Sequence, residues 1–148
     1  MDAHIEGVRV ADSPSGVVAV VTLGVEGEDD VLPIFVGFEE ARSIARGLDA
    51  ADIGRPLTHD LLLDVMEELG GRIERVVVTA IEEGTYIADL YVETPRDEAV
   101  VDARPSDSLA LAARTNADIE IEGAVFEAGR EPIDEYTQLE DIRELIGP

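Results

Sequence analysis

Residues 101–114, VDARPSDSLALAAR, pass from an apolar β-like run into an alanine-rich helix across one Arg-Pro step. Asp102, Arg104 and Asp107 crowd around Pro105 at that junction. The junction bears on the fold because an order of strand, turn, strand and helix occurs twice, at Val17 to Leu48 and at Thr85 to Arg114. Sliding IFVGFEEARSIAR (34–46) over VDARPSDSLALAA (101–113) sets Ala41 on Ser108, Ile44 on Leu111 and Ala45 on Ala112. The match is thin, but it suggests an internal strand-strand-helix duplication. Two strands before each helix, rather than strict alternation of strand and helix, predict an α+β fold with a largely antiparallel or mixed sheet.

The remaining elements fit one compact domain with two to four helices. Ile5, Val8 and Val10, then GVVAVVTLGV (16–25) and VLPIFVG (31–37), read as strands on either side of the turn EGEDD (26–30). Ala41, Ile44, Ala45 and Leu48 recur at three- and four-residue spacing, which predicts a helix over 38–48. After the connection DAADIGRP (49–56), a second helix over 58–69 is expected to bury Leu61, Leu62, Val65, Met66 and Leu69 and to stop at Gly70-Gly71. Two longer strands joined at Glu83-Gly84 follow, then DEAVVDAR (97–104) and a helix over 106–115. Beyond a short apolar segment at 119–121 and a turn at 124–127, the acidic tail 131–148 suggests one short amphipathic helix carrying Leu139, Ile142 and Leu145.

The composition excludes several kinds of chemistry. No cysteine among 148 residues means no disulfide, thiolate metal site or cysteine nucleophile. No run approaches the roughly 20 apolar residues of a membrane span, and MDAHIEGVRV lacks the pattern of a signal peptide, so a soluble cytoplasmic protein without membrane partners is expected. Thirty-four acids face eleven bases, every base is arginine, and the formal net charge is −23. Such self-repulsion is tolerable where salt screens it, the Debye length falling to about 3 Å at 1 M. Acids spread along the whole chain, absent lysine and few aromatics point to a salt-saturated, halophilic cytoplasm; an acidic surface for a basic partner is the alternative.

Two junctions hold the candidate chemistry. In the strand ending at Arg104, Asp102 and Arg104 share one face at about 6.6 Å spacing and can pair or share a ligand. Asp107 and Ser106 lie in the first helical turn, where capping alone would account for them. RPLTHDLL (55–62) repeats the pattern of Arg-Pro, hydroxyl and acid before a helix. Thr58 is an obvious cap there; His59, one of two histidines, is either a proton-transfer group or an ordinary surface residue. Asp60, Asp64, Glu67 and Glu68 read as a solvated face. No phosphate-cradling glycine loop, Ser-His-Asp order or zinc spacing is present.

Taken together, LPIFVGFEEARSIARGL, RPLTHDLLLDVMEELGGRIERVVV, GTYIADLYV and VDARPSDSLALAAR resemble, in order and spacing, the bifunctional nuclease family over about Val31 to Glu127. Ser108 stands where that family usually has alanine. The resemblance implies a compact α+β domain over residues 1–130 and metal-assisted hydrolysis of DNA and RNA with low sequence specificity. Matching positions are Glu40, Arg55, Thr58, His59, Asp60, Asp102, Arg104, Ser106 and Asp107. On that reading Glu40, Asp102 and Asp107 hold Mg²⁺ or Mn²⁺, while Arg104 and Arg55, with Thr58 and Ser106, hold the nucleic acid. His59 is then the general acid or base, and His59, Asp102, Arg104 and Asp107 form the catalytic set. The alternative is a non-catalytic module in a homo-oligomer, a dimer first of all, with the same residues in a salt-bridged network. Convergence of the four in an open cleft would favour catalysis; their burial without a pocket would favour structure.

Overall fold

The computed structural model describes residues 1–50 and 55–146, so part of the 49–56 connection and the last two residues of the tail lie outside the described residues. The elements run β1 (Asp2–Ser13), β2 (Gly16–Val25), β3 (Asp30–Val36), α1 (Phe38–Leu48), α2 (Thr58–Glu68), β4 (Arg72–Glu82), β5 (Thr85–Glu93) and β6 (Glu98–Ala103). Then come α3 (Pro105–Thr115), β7 (Asp118–Ile121), α4 (Gly123–Gly129), β8 (Glu131–Pro132), β9 (Glu140–Asp141) and α5 (Arg143–Ile146). Among the described residues no helix is long and apolar enough to cross a membrane.

The strands form one mixed sheet in the order β6-β5-β4-β7-β1-β2-β3-β8, with β9 paired to β1. Only β4 and β7 pair in parallel; the other pairs are antiparallel. That is the mixed α+β sheet expected from the doubled strands. The β4–β5 hairpin closes at Glu83 and Gly84, both with positive φ, the tight left-handed turn whose twist suits a hairpin.

One face of the sheet carries α1 and α3, each entered straight from the second strand of a hairpin-like pair. Alternate residues of the strands, among them Val21, Leu23, Ile34, Val76, Val78, Ala88 and Leu90, meet Ile44, Leu109 and Leu111 of the two helices in a single core. Small residues at the helix contact keep the two axes close. A Cβ on Gly47 would already press on Ala113 and Arg114. Inside this core Ser108 is fully buried, and its Oγ has no hydrogen-bond partner among the described residues. Ser108→Ala is therefore expected to stabilise the fold by about 1 kcal/mol and to raise the melting temperature by roughly 2–4 °C. A melting temperature equal to or below that of the wild type would show that the hydroxyl is satisfied after all.

The structure departs from the sequence reading at three places. No residue of α2 is buried: only Leu63 and Met66 pack against the core, while Leu61, Leu62, Val65 and Leu69 are exposed, Leu69 to 74%. The apolar arc of α2 is wider than one face, and periodicity alone does not say which part of it the body covers. Residues 124–127 belong to the helix α4, whose Val125 and Phe126 enter the core, rather than to a turn. In the C-terminal segment Leu139 lies outside any helix and α5 has only four residues. Ile142 is buried there, because its amide bonds to the Val8 carbonyl beside the β1–β9 pair.

Candidate functional site

Neither junction helix is capped as expected. The N-cap of α3 is Arg104 and that of α2 is Leu57, and neither residue's own side chain accepts a capping hydrogen bond. Thr58 is the first helical residue of α2, exposed, with Asp60 reaching back to the Leu57 amide at 3.2 Å. The carboxylate of Asp107 goes elsewhere, which answers the question of whether capping suffices.

Arg104 Nε donates to Asp107 Oδ2 at 2.8 Å and Nη2 donates to Oδ1 at 3.2 Å, a two-pronged pair. The third guanidinium nitrogen reaches Glu40 Oε1 at 3.4 Å. Glu40 folds back over the first turn of α1, where a Cβ on Gly37 would collide with its carboxylate. Asp107 Oδ1 also accepts from His59 Nε2 at 2.9 Å, and His59 Nδ1 lies 2.6 Å from Ser43 Oγ.

Arg114 extends this chain to α2. Its guanidinium donates to Ser43 Oγ at 3.1 Å, to the Ser43 carbonyl at 3.0 Å and to Asp60 Oδ1 at 2.7 Å. The Asp107 carboxylate only accepts, so the His59 Nε2 bonded to it carries a proton, and Ser43 Oγ, which accepts from Arg114, bridges Arg114 and His59 Nδ1. The hydrogen bond from Arg104, joined by that of His59, holds the Asp107 carboxyl below the usual carboxylate range. For Asp60 burial pushes upward, but the Arg114 hydrogen bond and the Leu57 amide outweigh it, and its carboxyl is lowered too.

Beside this network opens a groove of about 560 Å³. Ile34 to Gly37 and Glu40 form one wall; the β4–β5 turn and the start of β5, through Tyr86 and Ile87, form a second; Asp102 to Ser106 form a third. β3 and β5 are separated by four strands, so their meeting at one groove requires a strongly curled sheet.

The candidate residues therefore divide into two groups. Asp102, Arg104, Ser106 and Glu40 line the groove. His59, only 14% exposed, and Asp107 stand behind it, with both ring nitrogens of His59 engaged in the network. Arg55 is exposed, and neither it nor Thr58 is among the residues that line the groove. Nor does the set of donors close on a metal ion: among the described residues no three His, Asp or Glu side chains converge as ligands. Glu40 and Asp107 are engaged by Arg104, and Asp102 is the carboxylate of the groove that has no hydrogen-bond or ion-pair partner among the described residues.

Sequence reasoning missed Ser43, Arg114 and Phe35. For Arg114 a signal existed: with Asp107, seven residues earlier and on the same side of the helix, it is one of two charged residues in α3.

Comparison with known proteins adds a family and two kinds of relative. The bifunctional nuclease domain family matches residues 21–134. An uncharacterized protein of Mycobacterium tuberculosis, found in two strains, is 36% identical over 125 residues, covering 84% of this chain and 73% of the relative. Bifunctional nuclease 2 of Arabidopsis thaliana is 26% identical over 106 residues, which are 70% of this chain and 32% of that protein.

Proposed function

The chain belongs to the bifunctional nuclease domain family, and from that premise we propose that it hydrolyses phosphodiester bonds of DNA and RNA with low sequence specificity. One observation carries the reading: Arg104, Asp102, Ser106 and Glu40, from two separate strand-to-helix junctions, line one open groove. Hydrolysis needs a cation on the phosphate, a base for the attacking water and a proton for the leaving oxygen. Among the described residues Arg104 is the only base lining the groove, and it can hold two non-bridging phosphate oxygens, with the Ser106 hydroxyl beside it. Asp102 takes the proton from the water as its oxygen bonds to phosphorus, and the departing oxygen is protonated by solvent in the open groove. His59 acts at one remove: it positions Asp107, which positions Arg104.

The test is cleavage of single-stranded DNA and RNA in multimolar KCl, with Mn²⁺, Mg²⁺ or EDTA, against Asp102→Asn of verified folding. Loss of cleavage in the variant supports the reading; equal cleavage by both removes it. The chelator separates a metal-dependent route from a metal-independent one.

The exposed stripe on α2 supports assembly with a second copy of the chain as a further property. Leu57, Leu61, Val65 and Leu69 follow one another at four-residue spacing, and β6, the terminal strand of the sheet, exposes Val100 and Val101. Met66 and Leu69 share a groove with Val92 and Pro95, next to the β5–β6 end of the sheet. A free strand edge beside an apolar helix suits a two-fold dimer, in which the edge meets its own copy. With a net charge of −23 on each chain, this dimer should need salt. Light scattering in multimolar KCl should give a dimer for the wild type and a monomer for Leu61→Asn with Leu69→Asn. A monomeric wild type, or a variant that stays dimeric, would rule out this surface.

A further inference from the structure

We propose that the groove contains a base-binding subsite, in which Phe35 stacks on an unpaired nucleobase next to the phosphate held by Arg104, so that the substrate is single-stranded. The proposal rests on the nuclease reading and goes beyond it in naming the form of nucleic acid and the residue that selects it.

Phe35 is out of place by ordinary packing rules. The chain has three phenylalanines: Phe126 is fully buried, Phe38 packs partly against the core, and Phe35 is 63% exposed. It sits opposite Val20 in the β2–β3 ladder, on the face of the sheet turned away from α1 and α3. The C-terminal segment covers that face, since Tyr136, with Ile133 and Leu139, buries Val20 and Val31. The cover stops short of Phe35, although Val20 is its direct partner in the ladder.

The groove is built for a ligand with a flat apolar part and an anionic part. Phe35, Ile34 and Val36 come from one side and Tyr86 and Ile87 from another, so an aromatic ring stands on each. The charged and polar groups, Arg104, Asp102, Ser106 and Glu40, complete the lining. An apolar pocket with a few convergent polar groups is the usual form of a small-ligand site, and its volume lies within the common range of about 300–1,000 Å³. A nucleotide unit presents these two parts. In a duplex the base faces are stacked on one another and are closed to Phe35; in a single strand they are open.

The charge of the protein gives stacking a particular value. Most nucleic-acid binders gain affinity by releasing counterions from phosphates through basic residues, a gain that vanishes in concentrated salt. Stacking on an aromatic ring tolerates any sequence, and salts excluded from protein surfaces strengthen such burial. A chain with one arginine in its groove and a net charge of −23 has this means of holding a polyanion where salt is high.

The experiment is fluorescence anisotropy in multimolar KCl with EDTA, using a labelled single-stranded oligonucleotide, its duplex, and an abasic strand carrying the same number of phosphates. The single strand should bind the wild type roughly tenfold or more tightly than the duplex or the abasic strand. Phe35→Ala should lower single-strand affinity by about tenfold and leave abasic binding unchanged, and Phe35→Trp should restore it. Phe35 is exposed, so the variants should fold, and circular dichroism checks this. Equal affinity of wild type and Phe35→Ala for the single strand, or equal binding of duplex and single strand, would overturn the subsite while leaving the nuclease reading in place. No binding of any nucleic acid by the wild type would overturn the subsite, and absence of cleavage with Mn²⁺ and Mg²⁺ as well as with EDTA would overturn the nuclease reading. A change of oligomeric state in Phe35→Ala would make Phe35 part of an interface between copies and would overturn the subsite as well.

Discussion

Arg104→Ala is expected to lower phosphodiester cleavage at least about 100-fold while leaving the melting temperature almost unchanged. Both halves follow from where the side chain sits. Arg104 is 64% exposed, and exposed ion pairs contribute little to stability even when, as with Asp107, the geometry is two-pronged. In the groove the same guanidinium pairs with Glu40, and Asp102 lines the groove too, so without it the charged side chains lining the groove among the described residues would be carboxylates. The loss should therefore appear in kcat/KM for every substrate, DNA or RNA, because the contact is to phosphate rather than to base. Arg104→Lys keeps the charge but not the fork and should fall between the two. If Arg104→Ala cleaves like the wild type, the groove is not the active site and the Arg104–Asp107–His59 chain is structural.

Much of this arrangement could be read from the residues, and the parts that could not have identifiable causes. Strands and junction helices were legible because alternation in 85–93 and three- and four-residue spacing in 38–48 are one-dimensional records of burial. The doubled order of strand, strand and helix led to an α+β fold, and the structure has two such units, β2–β3–α1 and β5–β6–α3, with the first turns of both helices at one groove. The arginines, His59 and Asp102 stood out in the sequence as more than capping needs, whereas Asp107, which capping alone would account for, is spent instead on Arg104 and His59. The faces of α2 were not. A helix apolar on both the body side and the solvent side leaves no polar boundary to mark the buried arc, and the chain does not say what it packs against. Nor could the sequence show that His59 is held behind the groove rather than in its lining, because Ser43 and Asp107, which bond its ring, stand 16 and 48 residues away along the chain.

The division between groove and network changes what a histidine variant can report. His59 has both nitrogens engaged, so its removal should act through the position of Asp107 and Arg104 rather than by taking away a proton acceptor at the phosphate. Residues one step behind a site commonly matter by orienting those in front of it. The acid side chains follow the same logic. Glu40 and Asp107 would be poor neighbours for a phosphate if Arg104 did not bridge them, and the bridge sets the guanidinium at the groove mouth with one side turned to each helix.

The keystone of that network is Arg114, and Arg114→Met should destabilise the protein by about 2–4 kcal/mol, roughly 5–10 °C in melting temperature. The side chain is only 8% exposed and ties three helices together, bonding the Ala110 carbonyl of its own α3, Ser43 of α1 and Asp60 of α2. Methionine keeps most of the buried stem, so the loss reports on the guanidinium. Removing one partner of a fully buried pair commonly costs about 3–5 kcal/mol, and the lower figure here allows for water at Asp60, which is about a third exposed. Pairing Arg114→Met with Asp60→Asn should recover part of the loss, because the acid left alone is the main penalty. The pH dependence should change in a defined direction. The Asp60 carboxyl is lowered in the folded protein, so its pairing stabilises above the unfolded carboxyl pKa of about 3.9 and is lost as pH falls toward the folded value. In Arg114→Met the acid limb of the stability curve below about pH 4 should be flatter, with the difference from wild type greatest near neutrality. A loss that persists unchanged at pH 3, or a melting temperature that hardly moves, would mean that α2 is held by Leu63 and Met66 rather than by the ion pair.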